Sequence, residues 1–185
     1  MDQPGTERTS ALFAHIPERN TSDNLLRTAQ QHHVQLSTMA DTKANIIITV
    51  SSIVLTLSLG KLDQPTLRDS VLTLSIFTLF ALLLAILAVL PKYRPLRLST
   101  VELPPNFNLL FFGHFAELSR ERYVAELARN MKQDGSIYTA MANDVYSLGT
   151  YLANHKYRYL RLSYLCFLAG FITASMIQLW HLLGT

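Results

Sequence analysis

Polar side chains recur between residues 28 and 56 at alternating steps of three and four: Thr28, Gln31, Gln35, Thr38, Thr42, Asn45, Thr49, Ser52 and Thr56. That spacing traces one face of one helix. On the opposite side Leu25, Ala29, His33, Leu36 and Ala40 form an apolar stripe, and Thr21 or Ser22 just upstream can cap it. No proline or glycine stands between Asp23 and Leu59. The pattern therefore predicts a helix that passes unbroken from a polar stretch into the uncharged run 44–60, carrying its polar seam with it. Two further uncharged runs, 70–91 and 162–183, are also long enough to cross a bilayer. Three spans follow.

Between the second and third spans the period is again helical. Ser119 can cap a helix with Tyr123, Leu127 and Met131 on one face, and Asp134 with Gly135 is expected to end it. From Ser136 a second rod is predicted, with Ile137, Met141, Val145, Leu148, Leu152, His155, Tyr159 and Leu162 at a near-heptad period leading into the third span. Gly149 weakens that rod by roughly 1 kcal/mol relative to alanine. Strand-like alternation is absent. The reading is an all-α membrane protein: a mobile leader 1–21, a cytoplasmic helix 22–43, span one 44–60, span two 70–91, a proline-rich connector 92–110, a cytoplasmic helical segment 111–161 and span three 162–183. Long helices continuing out of the first and third spans build its cytoplasmic helical bundle.

Charge sets the orientation. Lys92, Arg94 and Arg97 follow the second span, and Lys156, Arg158 and Arg161 precede the third, whereas no lysine or arginine follows Arg161. Basic residues collect on the cytoplasmic side, so the N-terminus is expected inside and the C-terminus outside. The formal net charge of +3 is accounted for by anionic lipid and calls for no nucleic acid. The lone Cys166 lies within the third span, so neither a disulfide framework nor a thiolate metal site is expected. His32 and His33 point about 100° apart on a helix, which argues against a shared metal. With no phosphate-binding glycine loop and no nucleophile beside a base, the chain reads as a non-enzyme without a cofactor.

Four stretches carry a resemblance: MetAlaAspThrLysAlaAsnIle (39–46), PhePheGlyHisPheAlaGluLeuSerArgGluArgTyr (111–123), AsnAspValTyr (143–146) and LysTyrArgTyrLeuArg (156–161). In order and in placement against the spans they resemble the Pycsar transmembrane effector family, over about residues 24–183. The resemblance implies a multi-pass bacterial inner-membrane protein of antiphage defence that responds to cyclic CMP or cyclic UMP and then damages the membrane.

A cyclic nucleotide needs cations or helix amides for its phosphate and an aromatic face for its base. Arg120 and Arg122, at the start of the helix after Ser119, suit the phosphate. Phe112, His114 and Tyr123 can stack on the base, and Asp144 can read a base or ribose edge. Each also has a structural role open to it: Phe111, Phe112 and Phe115 as a core docking the middle helices, Asp144 as a partner for Lys43 or an arginine. Asp41 and Lys43, where the first rod meets the membrane, are candidates for a switch through their pairing or for stabilising one another. Within the bilayer, Asn45, Thr49, Ser52 and Thr56 must face other helices or water, as glue or as a pore lining. Small residues at Cys166, Gly170 and Ala174 offer a close-packing face. Together these faces predict a homo-oligomer. Two rival functions stay open: a constitutive scaffold that recruits a cytoplasmic partner, and a small channel or transporter with no nucleotide trigger.

Overall fold

The computed structural model describes residues 20–90, 103–104 and 107–184. Every regular element among them is helical: α1 (Asn20–Leu59), α2 (Arg68–Val89), a single turn α3 (Phe112–Phe115), α4 (Arg120–Asn130), α5 (Asp134–Tyr151), a π segment (Leu152–Lys156) and α6 (Tyr157–Leu183). Three helical stretches, Thr21–Leu59, Arg68–Val89 and Gly135–Leu183, are long and apolar enough to cross a membrane. α1 is unbroken over 40 residues, as the lack of proline and glycine requires. Its start at Asn20 puts Thr21 and Ser22 inside the first turn instead of ahead of it. Ser119 does cap α4, its hydroxyl accepting from the Arg122 amide at 3.3 Å. Asp134 and Gly135, expected to end that helix, instead open the next one, α4 having stopped at Asn130. Most of the leader and of the proline-rich connector lies outside the described residues.

The helices fall into two compact units. The first to consider comprises Gln35–Leu90 and Tyr151–Thr185. Here α2 and α6 run antiparallel: Ser70 donates to the Gln178 side chain at 2.8 Å, Cys166 to the Phe77 carbonyl at 3.4 Å and Ser163 to the Ala81 carbonyl at 2.6 Å. The contact is close because small residues line it. Ala81, Ala85 and Ala88 are buried on α2, and a Cβ placed on Gly170 would stand 2.4 Å from that of Phe77. The small face at Cys166, Gly170 and Ala174 is thus occupied by the chain's own α2. α1 joins in parallel with α6, burying Ala40, Ala44, Ile47, Ser51 and Ser58. Tyr157 donates to the Leu36 carbonyl at 3.2 Å and Tyr164 to the Lys43 carbonyl at 3.3 Å.

One register differs from expectation. The stripe predicted through His155, Tyr159 and Leu162 lies one residue early: Lys156, Leu160 and Ser163 are the buried positions, and Leu162 is exposed. The π segment is the reason. Its wider turn inserts one residue, so every later side chain on the inner face moves down by one.

The second unit is drawn from Met1–Val34 and Pro91–Thr150. Its portion of α1 lies parallel to α5, with the Tyr138 hydroxyl donating to Asp23 at 2.8 Å and the Gln30 amide to Asp144 at 2.7 Å. Gly149 has a positive reason to be there: a Cβ would sit 3.0 Å from the His33 imidazole. Leu109 and Tyr138 are its buried apolar residues among those described. Phe111 and Phe112, expected in that core, stand exposed, because the α3 turn tucks in backbone at Gly113 and leaves both rings outside.

Candidate functional site

A polar network built on Asn108 organises the Met1–Val34 and Pro91–Thr150 unit. Asn108 is buried, and every polar atom of its side chain is used. Its amide donates to Asp144 at 2.8 Å and to Ser147 at 3.1 Å, while its carbonyl oxygen accepts from the Leu110 amide at 2.9 Å. Its backbone N–H donates to Nδ1 of His114 at 2.9 Å. That bond leaves the His114 proton on Nε2 and the ring neutral, and burial holds its pKa below the usual histidine value. The ring packs between Phe107 and Phe111, with centroids at 5.7 and 5.2 Å.

Asp144 is therefore answered by amides, not by Lys43 or an arginine. Gln30 and Asn108 each take one carboxylate oxygen. Two neutral donors from two different segments thus fix the geometry of this carboxylate. Tyr123 stacks on Phe115 at 4.9 Å, Phe112 is 66% exposed, and Arg120 is exposed at the first position of α4. The six residues chosen for a nucleotide thus divide: His114 and Asp144 are already engaged in holding the fold, while Phe112 and Arg120 present free surface. Asn108 escaped the sequence reading. It lies between a proline pair and a run of apolar residues, and a single asparagine there has no periodic partner to mark it.

In the Gln35–Leu90 and Tyr151–Thr185 unit the central charge is Lys156. Only 8% exposed, it donates to both oxygens of Asp41 at 2.7 Å and to Ser37 at 2.8 Å. Asp41 is thus committed to Lys156 and not to Lys43; two residues apart on a helix, Asp41 and Lys43 point in different directions. The π segment, which ends at Lys156, sets this lysine toward α1.

All nine residues of the polar seam are exposed. At about 100° per residue, Asn45, Thr49, Ser52 and Thr56 lie roughly 140° around α1 from its buried face, and Ile46, Val50, Ile53 and Leu57 form a third arc beyond them. Ser52 and Thr56 return their hydroxyls to the Ile48 and Ser52 carbonyls at 2.8 and 2.9 Å. Asn45 and Thr49 have no side-chain partner among the described residues. Among the described residues, then, the side-chain bonds of Ser52 and Thr56 stay within α1 and the seam is left exposed.

No curated protein and no solved structure matches the chain. Residues 24–182 match the Pycsar effector protein domain, PycTM, which takes in the three apolar helices but for a few terminal residues, the Asn108 network and the Lys156 pair. A match over that share of the sequence settles kinship: this multi-pass membrane chain belongs to the Pycsar effector family.

Proposed function

We propose that the protein is a non-enzymatic antiphage effector that binds a cyclic pyrimidine mononucleotide, cyclic CMP or cyclic UMP, and then impairs the bacterial inner membrane through assembled spans. The observation that carries this reading is the exposed stripe Asn45–Thr49–Ser52–Thr56 on a helix apolar enough to span. An amide without a partner is costly in hydrocarbon, so the stripe is stable there only against another protein helix or against water. Membership of the family supports a cyclic-nucleotide signal.

In this reading the N-terminus and the helices of residues 22–43 and 111–161 are cytoplasmic, and the C-terminus is outside. Arg120 and Arg122 at the N-terminus of α4 take the phosphate, and Phe112 and Tyr123 take the base. His114 and Asp144 define the edge of the pocket. The ligand acts by binding one arrangement of the helices more tightly, with Asp41 and Lys43 as the coupling residues. The experiment is dye release from proteoliposomes across a nucleotide panel. Release only with cyclic CMP or cyclic UMP is expected. Release without nucleotide would favour an ungated channel, and no release with any of them a scaffold; either result overturns the reading.

A further inference from the structure

We infer that Lys43 and Arg161 bracket a binding site for the phosphodiester of an anionic membrane lipid. A recess of about 430 Å³ opens on the Gln35–Leu90 and Tyr151–Thr185 unit, lined by Lys43, Tyr157, Leu160, Arg161, Tyr164 and Leu165. Its two ends differ in chemistry. Lys43 and Arg161 supply the charge, both exposed and neither with an ion-pair partner among the described residues. The nearest acid on α1, Asp41, is already held by Lys156. Leu160, Leu165 and two tyrosines complete the lining.

The position of the two cations makes the assignment specific to lipid. Each is the last charged residue before an uncharged run of membrane-spanning length: Lys43 before 44–60, Arg161 before 162–183. Because α1 and α6 are parallel here, the two run-starts come together at one recess. The charges therefore sit at headgroup depth and Leu165 about one helical turn deeper along α6 than Arg161, the same polar-to-apolar order that a phospholipid presents. Arg161 suits a phosphate by its fork, Lys43 by its point charge. The hydroxyls of Tyr157 and Tyr164 are spent on the Leu36 and Lys43 carbonyls. Those bonds brace the walls with or without a lipid. Nothing in this assignment depends on the nucleotide.

The test is native mass spectrometry of the detergent-solubilised full chain with phosphatidylglycerol, and separately with phosphatidylcholine, read with the shift in thermal midpoint each lipid gives. Phosphatidylglycerol should bind and raise the midpoint more than phosphatidylcholine. Lys43→Gln with Arg161→Gln should lower its apparent affinity about tenfold. Leu165→Trp, which fills the recess without changing charge, should do the same, whereas Arg158→Gln, one exposed charge outside the recess on the same helix, should change it less than twofold. An equal loss from Arg158→Gln, or full binding by the Leu165→Trp protein, would mean diffuse attraction and overturn the site. An equal midpoint shift from millimolar inorganic phosphate would overturn its assignment to lipid. If a substituted protein fails to purify, the same titration in wild type with phosphatidylglycerol against phosphatidylcholine still decides the headgroup preference on which the proposal stands.

Discussion

The two compact units are stabilised in opposite ways. In the unit of Gln35–Leu90 and Tyr151–Thr185, α2 and α6 meet through alanines, serines and one glycine, and their hydroxyls and thiol bond to backbone carbonyls. The unit of Met1–Val34 and Pro91–Thr150 has few buried apolar side chains and is held by side-chain bonds converging on Asn108 and Asp144. In the proposed placement, with the first of these units in lipid and the second in water, the solvent explains the contrast. Against lipid, burying leucine gains nothing over leaving it exposed, so close backbone approach through small residues carries the packing. Against water, a polar side chain has an alternative partner, and a network holds only when every member is satisfied.

The sharpest way to break the first mode is to fill it. Gly170→Leu places a branched side chain where even a Cβ meets that of Phe77 at 2.4 Å, and on the order of 3 kcal/mol should be lost, seen as a fall in the thermal midpoint of the detergent-solubilised protein. Adding Phe77→Ala to Gly170→Leu should return part of it. If the double variant is no more stable than the single, α2 and α6 are not packed through this pair.

The Lys156 pair, like the Ser70–Gln178 bond, departs from the backbone-directed pattern, and it places a nearly buried ammonium in a unit otherwise built on small side chains. Asp41→Ala would leave it with Ser37 alone. The cost should be about 2 kcal/mol, less than for a fully buried pair because the Asp41 side chain is 41% exposed. Asp41→Leu with Lys156→Met should be close to wild type, since both charges leave together. A double variant as unstable as Asp41→Ala would show that the pair does more than neutralise itself.

Sequence patterning reached the two modes unequally. The long helices, the three apolar runs and the seam are periodic, and period is what a sequence displays. The π segment is not. LeuAlaAsnHisLys has no composition that distinguishes it from ordinary helix, so the inner face past Leu152 was expected one residue early, at His155 and Tyr159 in place of Lys156 and Leu160. A buried lysine was the available signal, because it must find a carboxylate, and Asp41 is one. The pairing of Asp144 was legible only as a need for a partner. Which partner depends on Gln30 and Asn108, brought to it from sequence distances of 114 and 36 residues.

The second mode is broken by removing one amide. Asn108→Ala frees one oxygen of Asp144, the Ser147 hydroxyl and the Leu110 amide at a single stroke. About 1–2 kcal/mol should be lost locally, read as faster amide exchange in α3 and α5 with α2 and α6 unchanged. Uniform acceleration across the chain would deny that the two units are held independently.

The smallest effect concerns pH and reaches only one unit. His114 accepts the Asn108 amide proton at Nδ1, so a protonated ring would set two N–H groups against each other. Its folded pKa lies below the unfolded value of about 6.5, and the unfolded chain therefore binds more protons in the window beneath that value. Stability from this residue is complete above pH 6.5 and declines as the pH falls through the unfolded pKa toward the folded one. Amide exchange at Asn108 and along α3 should accelerate between pH 7 and pH 5 beyond the intrinsic change in exchange chemistry. Around Ala81 and Ser163, midway along α2 and α6, exchange should show no such excess, because the bonds there come from serine and cysteine, and the His181–Asp69 pair at 3.6 Å lies at the other end of that contact. His114→Gln, which retains an acceptor without the titration, should flatten the profile. A profile that stays as steep in that variant would place the proton on another group.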